Sequence, residues 1–232
     1  MKKIGFIGAY DKTDFILYVA KILIEMGKTV LVVDGTITQK ARYIVPTIEP
    51  STTYLTHFEG IDIAVGLNSF SEIKAYSAIP EINELPYDIA LIDVDSAEGV
   101  QNYQIENCEK VYFVTSFDMY SIRRGMESIG GIQGIIEATK VLFSKYATRE
   151  ENDYLNYLSS ESNIRWNNEI IYFPFELGDQ TVIYKNQRVS KIKLKGLSNQ
   201  YKEGLMYITS QISGEEDYQV LKRVFKKVEK GV

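Results

Sequence analysis

The feature that most constrains the fold is a strand, helix and strand succession within the first 34 residues. Ile4-Gly5-Phe6-Ile7-Gly8 is a short apolar run bounded by a turn, which reads as a buried strand. Asp11-Lys12-Thr13-Asp14 supplies cap residues for a helix from about Phe15 to Met26, with Gly27 as its stop. Thr29-Val30-Leu31-Val32-Val33-Asp34 is continuous and β-branched, the pattern of a strand covered on both faces. A βαβ unit of this kind has a right-handed crossover, so its two strands run parallel.

The same alternation continues along the chain. Gly60 to Gly66, Tyr87 to Asp93, Lys110 to Thr115, Lys140 to Phe143 and Glu169 to Phe173 read as strands. Ser71 to Tyr76, Met119 to Ile129 and Arg149 to Leu158 read as helices. Strands alternating with helices predict an α/β fold with a doubly wound, mostly parallel sheet. No repeat, low-complexity tract or linker divides the chain, so residues 1–214 read as one α/β domain and 215–232 as an added helix.

Composition removes several function classes. One cysteine, Cys108, excludes an intrachain disulfide and a cysteine-rich metal site. The lone His57 removes most zinc and catalytic-triad chemistry. A net charge of -5 argues against a surface that coats nucleic acid throughout. The segment Phe15 to Met26 carries Lys21 and Glu25 and is shorter than the roughly 20 apolar residues a bilayer requires. A cytoplasmic protein is the expectation.

Three features occur in order: a strand leading into a loop with Lys12-Thr13 and a helix, a second strand ending at Asp34, and a later strand ending at Asp93. This order resembles the MinD/ParA family of P-loop ATPases, with its Walker A loop, second-strand aspartate and Walker B aspartate. Val111 to Ser116 looks like the family's strand after Walker B, and Tyr172-Phe173-Pro174-Phe175 like its late strand closing on a proline near the base. The resemblance implies a P-loop NTPase-like fold with ATP and Mg²⁺ as ligands. It implies nucleotide contacts at Gly8, Asp11, Lys12, Thr13, Asp34 and Asp93, with Thr13, Asp34 and Asp93 around the metal.

The phosphate loop itself departs from the family. Where the family reads KGGVGKT, this chain reads Ile7-Gly8-Ala9-Tyr10-Asp11-Lys12-Thr13. Glycines there let backbone N–H groups approach phosphate oxygens without Cβ atoms in the way. Lys12 retains a cation for a phosphate and Thr13 a hydroxyl for Mg²⁺. Asp11, however, sets a carboxylate near the phosphates. Two like charges about 4 Å apart repel by about 4 kcal/mol at an effective dielectric of about 20, roughly three orders of magnitude in affinity. Ile7 stands in place of the family's signature lysine. The bland alternative for Lys12-Thr13 is a solvated helix N-terminus capped by Asp11 or Thr13. Asp34 and Asp93 are either ligand-facing acids or helix caps and turn residues.

Two basic stretches complete the reading. In the tail, Tyr218, Leu221, Val224, Phe225 and Val228 share one helical face, flanked by Lys222, Arg223, Lys226, Lys227 and Lys230. Such a helix suits an anionic membrane surface and resembles the membrane-targeting end of MinD proteins. Leu221 to Lys227 is then the membrane-binding segment. A last helix packed on the domain, or one that binds a partner, is the alternative. The second stretch holds Lys185, Arg188, Lys191, Lys193, Lys195 and Lys202, with no acid between Asp179 and Glu203. Alternation in Val189 to Leu194 predicts a strand or extended segment with its lysines on one side, either a DNA-binding surface or a solvated edge.

The favoured expectation is a degenerate MinD/ParA-like scaffold without efficient ATP hydrolysis. The resemblance implies a protein partner in a localisation, pilus or secretion assembly at the inner face of the cell membrane. The alternatives are an active MinD-like ATPase that dimerises at the membrane and a ParA-like DNA partition protein, the latter less favoured.

Overall fold

The computed structural model describes residues 1–47, 52–77, 85–130, 132, 134–144 and 149–230. The expected βαβ unit forms: β1 (Lys2–Ile7), α1 (Thr13–Glu25) and β2 (Val30–Asp34). There follow α2 (Ala41–Ile44), β3 (Tyr54–Phe58), β4 (Ile61–Val65), α3 (Phe70–Tyr76) and β5 (Ile89–Val94). Next come α4 (Ala97–Asn102), β6 (Lys110–Ser116), α5 (Met119–Ile129), β7 (Ile136–Ser144) and α6 (Arg149–Leu158). The chain continues through β8 (Ile164–Pro174), α7 (Leu177–Arg188), α8 (Asn199–Ser213) and α9 (Tyr218–Lys230).

Among the described residues, eight strands form one sheet in the order β3-β4-β2-β5-β1-β6-β7-β8. Every neighbouring pair is parallel except β3 and β4, which are antiparallel. The continuous apolar strands β2, β5 and β6 lie inside the sheet, where both faces are covered. One layer of core joins α1, α8 and α9 to the sheet through Phe15, Leu23, Leu205 and Phe225. The opposite layer joins α3, α4, α5 and α6 through Ile73, Val100, Ile122 and Leu155.

Three differences from the sequence reading have physical causes. Strand β3 carries no long apolar run, because it is an edge strand; a turn at Glu59-Gly60, both at positive φ, folds it back on β4. Helices α7 and α8 were not expected, since their apolar residues are interspersed among many polar ones. Val189 to Leu194 is not a strand: Val189 ends α7, Ser190 has φ 49°, and no ladder partner follows. The alternation there is nevertheless real, with Ile192 and Leu194 buried and Lys191, Lys193 and Lys195 exposed.

Candidate site at the carboxyl ends of the strands

Parallel strands all deliver their carboxyl ends to one edge of the sheet, where the loops after β1, β2 and β5 meet. The sheet register places Asp34 beside Asp93 on adjacent strands. The loop from β1 turns at Gly8, whose φ is +137°; a Cβ there would lie 2.1 Å from the Val114 carbonyl oxygen of β6. Glycine is required here by the neighbouring strand. Gly8→Ala is expected to cost at least about 2 kcal/mol, from the disfavoured φ and the overlap together. Urea unfolding measures this, and a loss under about 0.5 kcal/mol contradicts the packing.

Lys12 is turned inward. It is 2% exposed, and its Nζ donates to the Gly8 carbonyl at 2.6 Å and pairs with Asp93 Oδ1 at 2.6 Å. The alternative of a solvated lysine at a capped helix start is thereby corrected. Lys12 occupies the N-cap of α1 with no side-chain cap, and Asp11 accepts from the Thr13 N–H at 3.3 Å. Burial pushes the Asp93 carboxyl up to about 7; Lys12 opposes that rise and Asp34 adds to it.

Asp34 is committed locally. Its Oδ1 accepts from the Thr36 hydroxyl at 2.6 Å and the Thr36 N–H at 3.2 Å, and its Oδ2 accepts from the Ala41 N–H at 2.8 Å. Burial raises its carboxyl, partly offset by these bonds. Asp95 in turn accepts from the Ile37 N–H at 2.9 Å. Thr13, Asp34 and Asp93 therefore converge on one region, but as arranged they do not fit Mg²⁺, which takes oxygen ligands in near-octahedral order. Both Asp34 oxygens are engaged and an ammonium sits on Asp93. Among the described residues, no group of three or more acidic, histidine or cysteine side chains could hold a metal.

A residue the sequence reading did not weigh completes the site. Lys40, in the loop after β2, contacts Asp11 and lies 2.9 Å from Asp14 Oδ2. Burial works against its charge, yet Asp14 and Asp11 hold the ammonium above its ordinary range. Asp14 also accepts from Gln187 Nε2 at 2.8 and 2.9 Å. The two acids introduced at the start of α1 thus have internal partners. No sequence spacing points to Lys40, because the loop from Asp34 has no periodic pattern.

Two adjoining cavities open on this edge. One, of about 410 Å³, is lined by Gly8, Lys12, Thr13, Thr36 and Asp93 among others. The second, of about 280 Å³, runs from Tyr10 and Lys40 to Phe143, Phe175 and Tyr184. Tyr10 stacks on Phe143, with ring centroids 4.6 Å apart. Its aromatic wall was not foreseen beyond Tyr172-Phe173-Pro174-Phe175.

The tail residues lie elsewhere. Helix α9 packs against α1 and α8, with Leu221 3% and Phe225 5% exposed and Val228 buried. Lys222, Arg223 and Lys226 are exposed, Val224 is half-buried, and Lys227 pairs with Glu25 at 2.9 Å. The apolar side of the expected membrane segment therefore belongs to the domain's own core, and its basic side faces out. No helix among the described residues is long and apolar enough to cross a membrane.

No family model matches the sequence, and no curated protein sequence matches it. Solved structures do match in fold. The chain is 14% identical to a protein in the MinC:MinD cell division complex of Aquifex aeolicus, with a TM-score of 0.59, over 93% of this chain and 97% of that one. It is 13% identical to a ParA family ATPase from Chlorobium tepidum TLS, with a TM-score of 0.54, over 98% and 97% of the two chains. A plasmid partition protein from Borrelia burgdorferi B31 bound to AMPPNP gives 10% identity and a TM-score of 0.51, over 91% and 100%. The chain has the MinD/ParA-type P-loop NTPase fold.

Proposed function

We propose that this chain is a degenerate MinD/ParA-like scaffold that positions a protein partner in a localisation or assembly system, such as a pilus or secretion assembly, without efficient ATP hydrolysis. The observation that carries the reading is the Lys12 ammonium, buried between the Gly8 carbonyl and Asp93. To meet a phosphate it must leave a buried carboxylate unpaired, at a cost of about 3–5 kcal/mol. Asp11 stands at the mouth of the same loop, and Ala9 and Tyr10 carry Cβ atoms where bare backbone would serve a phosphate. Lys40 ties Asp11 and Asp14 to the loop after β2, so that edge is joined without a ligand. Ile37, Tyr43 and Tyr120 are exposed around it and offer apolar surface to a partner or a second copy.

The second reading is a working ATPase. It is favoured by the cavity beside Gly8, Lys12 and Thr13, and by the AMPPNP bound to the Borrelia protein of the same fold. Equilibrium binding of labelled ATP with Mg²⁺ separates the two. The scaffold reading expects no saturable binding below about 1 mM, about -4 kcal/mol. Micromolar binding that Lys12→Met abolishes in a folded protein overturns it.

A further inference from the structure

Eleven of the 26 basic residues and one of the 31 acidic residues fall in two short segments, 185–202 and 218–232. The chain as a whole carries -5, so these segments form a strongly positive part of an otherwise acidic molecule. The fold brings them together. A groove of about 620 Å³ is lined by Lys193, Lys195, Gly196, Lys202, Glu229 and Lys230.

This groove is held in shape from beneath. Ile192, Leu194 and Leu197 are buried, so the intervening lysines are pinned outward as on an extended strap. Buried Asn186 fixes the strap's backbone, its Nδ2 donating to the Lys193 carbonyl at 2.8 Å and to the Tyr18 hydroxyl at 2.7 Å. Gly196, at φ +99°, turns the strap toward α8. On the far side, Leu221, Phe225 and Val228 anchor α9, and helical spacing sets Lys222, Lys226 and Lys230 in a row that ends at the groove. Of the nearby lysines, Lys191, Lys202 and Lys227 are ion-paired, with Glu59, Glu229 and Glu25. The described residues give Lys193, Lys195 and Lys230 no carboxylate partner.

We infer that this groove is a binding site for clustered phosphates, taken either from a lipid headgroup surface or from a free phosphoanion. Several ammonium groups on a rigid concave frame, continued by a row of lysines, match an array of anionic oxygens. Leu221, Phe225 and Val228 of α9 are already buried in the domain, so the contact is electrostatic and requires no insertion of the helix. Glu229 is the one acid in the groove and holds Lys202 at 2.6 Å, which sets the affinity below its ceiling. The inference is independent of the scaffold reading, since the groove shares no residue with the cleft at Gly8 to Thr13.

The test uses the full chain, with no nucleotide. One arm titrates tripolyphosphate calorimetrically; the other sediments the protein with phosphatidylglycerol vesicles against phosphatidylcholine vesicles. Each lysine near an anionic surface contributes about fivefold, so Lys193→Gln with Lys195→Gln is expected to weaken binding about 25-fold without changing the melting temperature. Glu229→Gln is expected to strengthen it a few-fold, about one lysine's worth. Tripolyphosphate binding alone assigns a free phosphoanion, and vesicle binding alone assigns a headgroup surface; either supports the site. Binding to neither, or binding indifferent to both sets of substitutions, overturns it. Duplex DNA bound more tightly than both probes, and released by the double variant, overturns it in favour of a nucleic-acid surface.

Discussion

Replacing Lys12 with alanine is expected to destabilise the protein by about 3–5 kcal/mol, because it leaves Asp93 buried in the core without its ammonium partner. Lys12 and Asp93 are each 2% exposed and 2.6 Å apart. A lysine built only to meet a solvated ligand would cost little to remove; surface changes generally fall within about 0.5 kcal/mol. Replacing both members with apolar residues of similar size, Lys12→Met with Asp93→Leu, removes both charges and is expected to recover much of the loss. Urea unfolding of the two variants decides the matter: a Lys12→Ala cost below about 1 kcal/mol would show that the pair does not hold the loop.

The pH dependence has a definite sign. Burial raises Asp93 to about 7 in the folded protein, above its ordinary value near 3.9 in an unfolded chain. The folded state therefore holds that proton more tightly, so the stability Asp93 contributes is full below about pH 4 and is lost as pH rises through about 7. Lys12→Met, which takes away the opposing ammonium, should sharpen this. Its melting temperature is expected to fall more steeply than the unmodified protein's between about pH 5 and 8.

Phe225→Ala carries the second large effect, an expected loss of about 3–5 kcal/mol. Phe225 is 5% exposed and lies in the core shared by α1 and α8. A tail helix detached from the domain and waiting for a membrane would show almost no change. Thermal unfolding distinguishes the two, and an unaltered transition would sink the docked arrangement. The exposed neighbour Lys226→Ala supplies the contrast, with an expected change within about 0.5 kcal/mol.

The doubly wound architecture was legible because the central strands β2, β5 and β6 are covered on both faces and so read as unbroken apolar runs: Val30 to Val33, Ile89 to Ile92, Val111 to Val114. Such runs need no partner information to be recognised. The positions of Lys12, Asp34 and Asp93 at one edge followed from strand order alone, since parallel strands share an end. Where their side chains turn did not follow. Asp34 bends back onto Thr36 and Ala41, and Lys12 folds under its own loop. Each choice depends on which neighbour competes for the charge, and Lys40 arrives from a loop without pattern.

The amphipathic spacing of residues 218 to 228 fixed a helix with one apolar face, and the apolar runs of the strands fixed the class of fold. What covers that face was decided by tertiary packing, because the hydrophobic effect is indifferent to whether α1, a partner or a bilayer removes the side chains from water. The same holds for charge. Residues 185–202 and 218–232 are basic wherever they lie, but only the packing of α8 and α9 sets Lys193, Lys195, Lys202 and Lys230 around one groove. Coulomb interactions act through space, and distance in space is what the linear chain does not carry.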